Sequence, residues 1–262
     1  MMSSNRSRTI YTYVRFALLV PIIVTMTVFA AVPAPVLGDE TRRLVGFTKD
    51  EASETVPAGW EYLSYIGKNE NRISLYTEGK RTVVRMESLN SVSALLVKPD
   101  VDIQTYPVLV WRWKINRVVG MAREDQKDRN DSAARLRVIF KKGTDRQGTA
   151  LPRIEDFLKN IGASIPKLEP FGFKIDYIWG THLPRGAVID YPGGIDHKVV
   201  IVERGNGKAS RWIWEKRDLV QDFKTFFQDS PIGLSGILVL TDTDHTNEGV
   251  EAFYSSIVLM KR

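Results

Sequence analysis

The chain has 262 residues, a formal net charge of +6 and no cysteine. Without cysteine there is no disulfide, no thiol chemistry and no lipid on an exported N-terminal cysteine, so stability has to come from a packed core. The positive excess is interspersed with 31 acidic residues and forms no basic stripe, which argues against nucleic-acid binding.

Arg6, Arg8 and Arg15 precede an uncharged run from Phe16 to Gly38. A basic head, an apolar middle and small side chains at Val36 and Gly38 are the layout of a secretory signal cleaved before Asp39. The run is long enough to span a bilayer as an uncleaved anchor, but Pro21, Pro33 and Pro35 make it a poor spanning helix. The expectation is a signal peptide over 1–38, a single domain over 39–262, an extracytoplasmic, periplasmic location and no membrane span after cleavage. Setting the three leader arginines aside lowers the charge excess from +6 to +3, an ordinary solvated surface.

Beyond the leader the dominant period is two. "RISLYTEGKRTVVRMES" reads as a hairpin, with Ile73 and Leu75 opposite Val84 and Met86 across a turn at Glu78-Gly79-Lys80. "VLVWRWKI" places Leu109, Trp111, Trp113 and Ile115 on one face, with Arg112 and Lys114 opposite. "ARLRVIF" does the same with Leu136, Val138 and Phe140 against Arg135 and Arg137. "DYIWG", "HKVVIVERG", "SRWIWEKR", "GILVLTDT" and "AFYSSIVLM" are further strands. Two segments have helical spacing: "RIEDFLKNIG", with Ile154, Phe157, Leu158 and Ile161, and "DLVQDFKTFF", with Leu219, Phe223 and Phe226 after a capping Asp218. The pattern predicts a mostly β, jelly-roll-like β-sandwich with two short covering helices.

"WRWKI", "RNDSAARLRVIF", "YIWG", "WIWEKRDLVQDFKTFF" and "LTDTDHTNEGVEAFYSSIVL", in that order, resemble a secreted bacterial family known only as a domain of unknown function. The resemblance runs from about Phe47 to Met260 and implies export, one mostly β domain and no settled activity. The closing strand is also similar to that of galactose-binding-like jelly rolls, a likeness of fold that does not carry function. Two departures bear on metal binding. The family's usual acidic pair before "AAR" reads Asn130-Asp131 here, and Ser255 and Ser256 stand where calcium-dependent sugar-binding jelly rolls often place acids.

The densest polar stretch follows "GILVL": Asp242, Asp244, His245, Asn247 and Glu248. Thr246 and the late Gly249 exclude an EF-hand loop. Asp242 and Asp244 share a face ~7 Å apart on an extended strand, a spacing that suits a cation such as calcium or a pair of sugar hydroxyls. The plainer alternative is a polar turn. His182, His197 and His245 lack zinc-hydrolase spacing, and "GLSGI" around Ser235 lacks the second glycine of a nucleophile elbow. "GNGK" at Gly205 to Lys208 reads as a hairpin turn between Glu203 and Trp212.

Trp111, Trp113, Trp212 and Trp214 are assigned to the core by their alternation, and Trp179, beside Thr181 and His182, to a ligand-facing strand end. Arg135 and Arg137 are expected to pair with Asp131 or with the terminal loop. The ligand-binding set is therefore Asp131, Arg135, Trp179, His182, Asp242, Asp244 and His245, with Asp242 and Asp244 the residues a metal would use. No catalytic residue is assigned and no cofactor other than calcium is expected. The reading is a non-catalytic binding module for glycan or another envelope component. The alternative is a polysaccharide hydrolase or lyase using paired carboxylates from Asp131, Asp242 and Asp244.

Overall fold

The computed structural model describes residues 41–45, 56–79, 81–142, 169–192 and 194–262. Thirteen strands follow in chain order: β1 Thr41–Val45, β2 Glu61–Ser64, β3 Arg72–Glu78, β4 Arg81–Leu89, β5 Val92–Val97, β6 Val108–Ile115 and β7 Ser132–Phe140. They continue as β8 Phe173–Gly180, β9 Val188–Tyr191, β10 Gly194–Arg204, β11 Ile213–Asp218, β12 Leu234–Asp242 and β13 Gly249–Met260. One sheet has six strands in the order β11-β6-β13-β4-β3, with β1 also paired to β13. The other has seven, in the order β2-β5-β12-β7-β8-β10-β9. The described residues lie in one compact unit, Leu37–Arg262.

The two sheets form a sandwich because alternate side chains of their strands share one apolar core. Leu109, Trp111, Trp113 and Ile115 of β6 pack in it with Leu136, Val138 and Phe140 of β7 and Tyr177 and Trp179 of β8. Aromatic rings bridge the layers: Trp111 and Tyr177 have centroids 5.4 Å apart, Trp113 and Trp179 6.0 Å. The β3–β4 hairpin has the predicted register, with Ile73 opposite Met86 and Leu75 opposite Val84. Gly79, at φ 64°, takes the left-handed turn position that a side chain would resist.

The helix α1, Leu219–Phe227, starts where the sequence predicts it. Asp218 caps it by accepting a hydrogen bond from Gln221 N at 2.9 Å, and Leu219, Val220 and Phe223 are buried in the shared core. The second predicted helix, around Ile154–Ile161, falls outside the described residues. Gly205 to Lys208 is not a hairpin turn, because β10 lies in the seven-stranded sheet and β11 in the six-stranded one. The segment crosses between layers, tied by Trp179 Nε1 donating to Gly205 O at 2.9 Å and by Val118 N donating to Asn206 Oδ1 at 2.9 Å. Among the described residues no helix is long and apolar enough to cross a membrane.

Candidate functional site

Strand pairing explains why distant acids meet at one rim. Asp242 ends β12, the strand between β5 and β7, and lies opposite Ser132 of β7, so Asp131 is brought beside it. Asp131 is buried, and its Oδ2 accepts from His245 N at 3.2 Å, Thr246 N at 2.9 Å and Thr246 Oγ1 at 2.7 Å. His245 Nδ1 stands 3.1 Å from Asp131 Oδ1 and 2.6 Å from Asp244 Oδ1. Lys68, from the β2–β3 connection, reaches Asp244 Oδ2 at 2.6 Å. One potential ligand atom from each of Asp131, Asp242, Asp244 and His245 lies within 4.8 Å of the others.

Three carboxylates meet at the rim, with Lys68, His245 and the charge of Arg135 set against them. Asp242 is 8% exposed, and the hydrogen bond it accepts from Asp244 N is long, at 3.4 Å. Burial pushes its carboxyl up to about 8; Arg135 pulls it back, while Asp131 and Asp244 push it further up. Three carboxylates are the donors a calcium ion takes, whereas the His245 imidazole suits a softer divalent metal.

Two of the predicted site residues have other roles. Arg135 is buried, but it donates to Asp176 Oδ2 at 3.1 Å, Ser132 Oγ at 3.1 Å and the Asn130 carbonyl, and it influences Asp242 only through its charge. Arg137 likewise pairs with Asp176, at 2.7 Å, and with Glu169, at 2.6 Å, rather than with Asp131 or the terminal loop. Trp179 is fully buried in the core against Trp113 instead of facing a ligand. His182 is exposed in the β8–β9 loop, where buried Glu124 accepts from the backbone N–H groups of Thr181, His182 and Leu183.

The feature that the sequence reading missed is the outer face of the six-stranded sheet. On β11 it is Ile213 that packs against the core and Glu215 that is buried, so Trp212 and Trp214 lie on the other face and are partly buried, Trp214 against Val108, Val110 and Val258. The Arg112 guanidinium lies 4.1 Å from the Trp212 ring centroid and 5.9 Å from that of Trp214. Lys114 Nζ lies 5.0 Å from Trp212 and 4.5 Å from Phe253, which meets Tyr76 edge-on at 5.7 Å. Glu78 accepts from Trp212 Nε1 and Lys114, and Arg85 bridges Glu87 at 3.0 Å and Glu251 at 2.8 Å. A groove of about 410 Å³ extends from this face, lined by Arg72, Glu87, Ser88, Asn116 and Glu251 among others. The signal available in the sequence was the isoleucine between the two tryptophans, which fits the core as well as they do.

No curated protein matches the sequence. Among solved structures, the family 11 carbohydrate-binding module of the cellulosomal cellulase Lic26A-Cel5E of Clostridium thermocellum is similar over 87% of this chain and 96% of its own, at 11% identity and a TM-score of 0.39. The xyloglucanase domain of NopAA, a type three effector from Sinorhizobium fredii, is similar over 80% of this chain and 100% of its own, at 11% identity and a TM-score of 0.35. An exo-beta-agarase is similar over 85% of this chain and 25% of its own, at 12% identity and a TM-score of 0.33. Likeness this distant carries no argument about what the chain binds. Residues 58–258 match the family described as "Protein of unknown function (DUF3047)", and the chain belongs to that family.

Proposed function

We propose that the protein is an exported, non-catalytic binding module of jelly-roll-like build that takes glycan, as a component of the envelope, on the outer face of its six-stranded sheet. One observation carries this reading. Trp212, Trp214, Tyr76 and Phe253 are only partly buried on a sheet face that also bears Arg112, Lys114, Arg85, Glu78 and Glu251. Sugar rings offer C–H faces that stack on aromatic rings, and hydroxyls that require fixed donors and acceptors beside them. Export rests on the basic head, uncharged run and small-residue tail of the leader, and N-terminal sequencing of exported protein should begin at or near Asp39. Binding is tested by calorimetry of the chain from Asp39 onward against a panel of polysaccharides. Trp212→Ala should weaken binding about tenfold, the loss of one stacked ring. Loss of binding in Asp242→Asn, with Trp212→Ala unaffected, would move the site to the rim.

The rim supports a second reading, a cation-binding loop with Asp131, Asp242, Asp244 and His245 as ligands. Its specific observation is the convergence of four potential donor atoms within 4.8 Å of one another. A bound calcium ion would raise the melting temperature, and an unchanged melt across a calcium titration would leave the rim a polar turn. Paired-carboxylate hydrolysis is disfavoured by the same geometry. It needs carboxyls ~5–9.5 Å apart across a substrate, whereas the rim oxygens are closer and both oxygens of Asp131 have partners.

A further inference from the structure

We infer that the glycan bound on the six-stranded sheet is anionic, and that Arg112 is the residue that receives its carboxylate or sulfate groups. The inference rests on the glycan-binding reading and adds the ligand's chemical class.

Arg112 is half-buried in the middle of the platform, directly opposite Trp214 on β11 and Ser255 on β13. Among the described residues it has no hydrogen-bond or ion-pair partner, and its Nε is buried and unpaired. Glu78, whose charge reaches it, is already held by Trp212 and Lys114. Glu87 and Glu251 are held by Arg85. A guanidinium offers five N–H donors in a planar fork that fits a carboxylate or a sulfate, and the Trp212 indole at 4.1 Å fixes its plane. Ring stacking orients this cation without neutralising it.

Burial pushes the Arg112 guanidinium below its usual value, the positive charge of Arg81 pushes it further down, and Glu78 offsets only part of this. Burying a cation beside another without an acceptor is unfavourable, and a bound anion relieves it. The backbone is also unusual at this point. Strand β13 shifts register between Ser255 and Val258, and Ser256 adopts φ 53°, a conformation rare for a residue with a side chain. Bulges of this kind recur where a sheet re-aims side chains at a binding site.

The experiment uses the chain from Asp39 onward and three soluble polymers with one β-1,4-glucan backbone: neutral hydroxyethyl cellulose, its C6-carboxylate analogue polyglucuronate, and cellulose sulfate. The inference predicts that one or both anionic polymers bind at least tenfold tighter than the neutral one, with affinity falling as salt rises. Arg112→Gln should remove that advantage, and Arg112→Lys should restore part of it, because charge is regained but the planar fork is not. Repeating the measurement at pH 3 separates the sources, since sulfate keeps its full charge and a uronate loses much of its own. Equal binding of all three polymers, unchanged by Arg112→Gln, overturns the anion inference and leaves the glycan reading standing. Anionic preference that survives in a folded Arg112→Gln variant also overturns it. Absence of binding to any of the three, and to the wider panel, overturns both.

Discussion

On the outer face of the seven-stranded sheet, Arg135 and Arg137 are buried and both guanidinium groups are answered by carboxylates. Asp176 accepts from both arginines and lies 3.1 Å from His197 Nε2, while Glu169 accepts from Arg137, Lys174 and Tyr65. On the outer face of the six-stranded sheet, Arg112 lies over two indoles and, among the described residues, no carboxylate is hydrogen-bonded or ion-paired to it; Glu78 acts on it only through its charge. A closed ion network fixes the position of strands and leaves nothing for a ligand to satisfy. A stacked but unpaired cation is the opposite case, costly until something anionic arrives. On this difference we propose a structural role for one face and recognition for the other.

The comparison breaks most visibly if the closed network is opened. Asp176→Ala removes the shared acceptor of two buried guanidinium groups and should cost about 3–5 kcal/mol in a urea melt, while Arg112→Gln should cost less than about 1 kcal/mol. Equal losses would mean that Arg112 is structural too.

pH sharpens the contrast, because closely paired and loosely paired carboxylates shift in opposite directions. Burial raises Glu169, but Arg137 and Lys174 outweigh it and hold the group at about 2. Its stabilising contribution is therefore present above the unfolded value and lost as pH falls through about 2. Glu215, buried at the edge where β11 approaches β10, is pushed up to about 7 by burial; Arg185 pulls it back and Glu203 adds to the rise. Its folded value lies above its unfolded one, so stability is fully present below the unfolded value and is lost as pH rises through about 7. Glu215→Gln should then stabilise the protein at pH 8 by about 3 kcal/mol at most and leave it unchanged at pH 4. A variant equally stable to the parent at both pH values would show Glu215 to be compensated after all.

The smallest expected effect is on the binding face. Trp212→Ala should leave the melting temperature within about 3 °C of the parent while weakening glycan binding about tenfold. By contrast, Trp111→Ala, at the centre of the core, should cost about 3–5 kcal/mol.

Periodicity made most strands legible, together with the β3–β4 register and the capped helix α1, because those depend on neighbours along the chain. The polar rim was legible for the same reason: acids directly after an apolar strand have to lie at its end. What periodicity does not say is which face turns inward when both carry apolar residues. In "RWIWEKR" the isoleucine went in and the tryptophans out, and in "DYIWG" Tyr177 and Trp179 went in. Nor does it identify partners from distant strands. Asp176 reaches Arg135 only because β8 pairs with β7, with Arg137 opposite Asp176 in the register. The role of Arg112 depends likewise on β11 docking against β6.

The six tryptophans offer the most direct measurement. In a proton–nitrogen correlation spectrum of the chain from Asp39 onward, each indole N–H gives its own resonance. The account predicts that adding an anionic polysaccharide shifts the signals of Trp212 and Trp214 and leaves those of buried Trp111, Trp113 and Trp179 in place. A ligand that binds while Trp212 and Trp214 stay unmoved would contradict it.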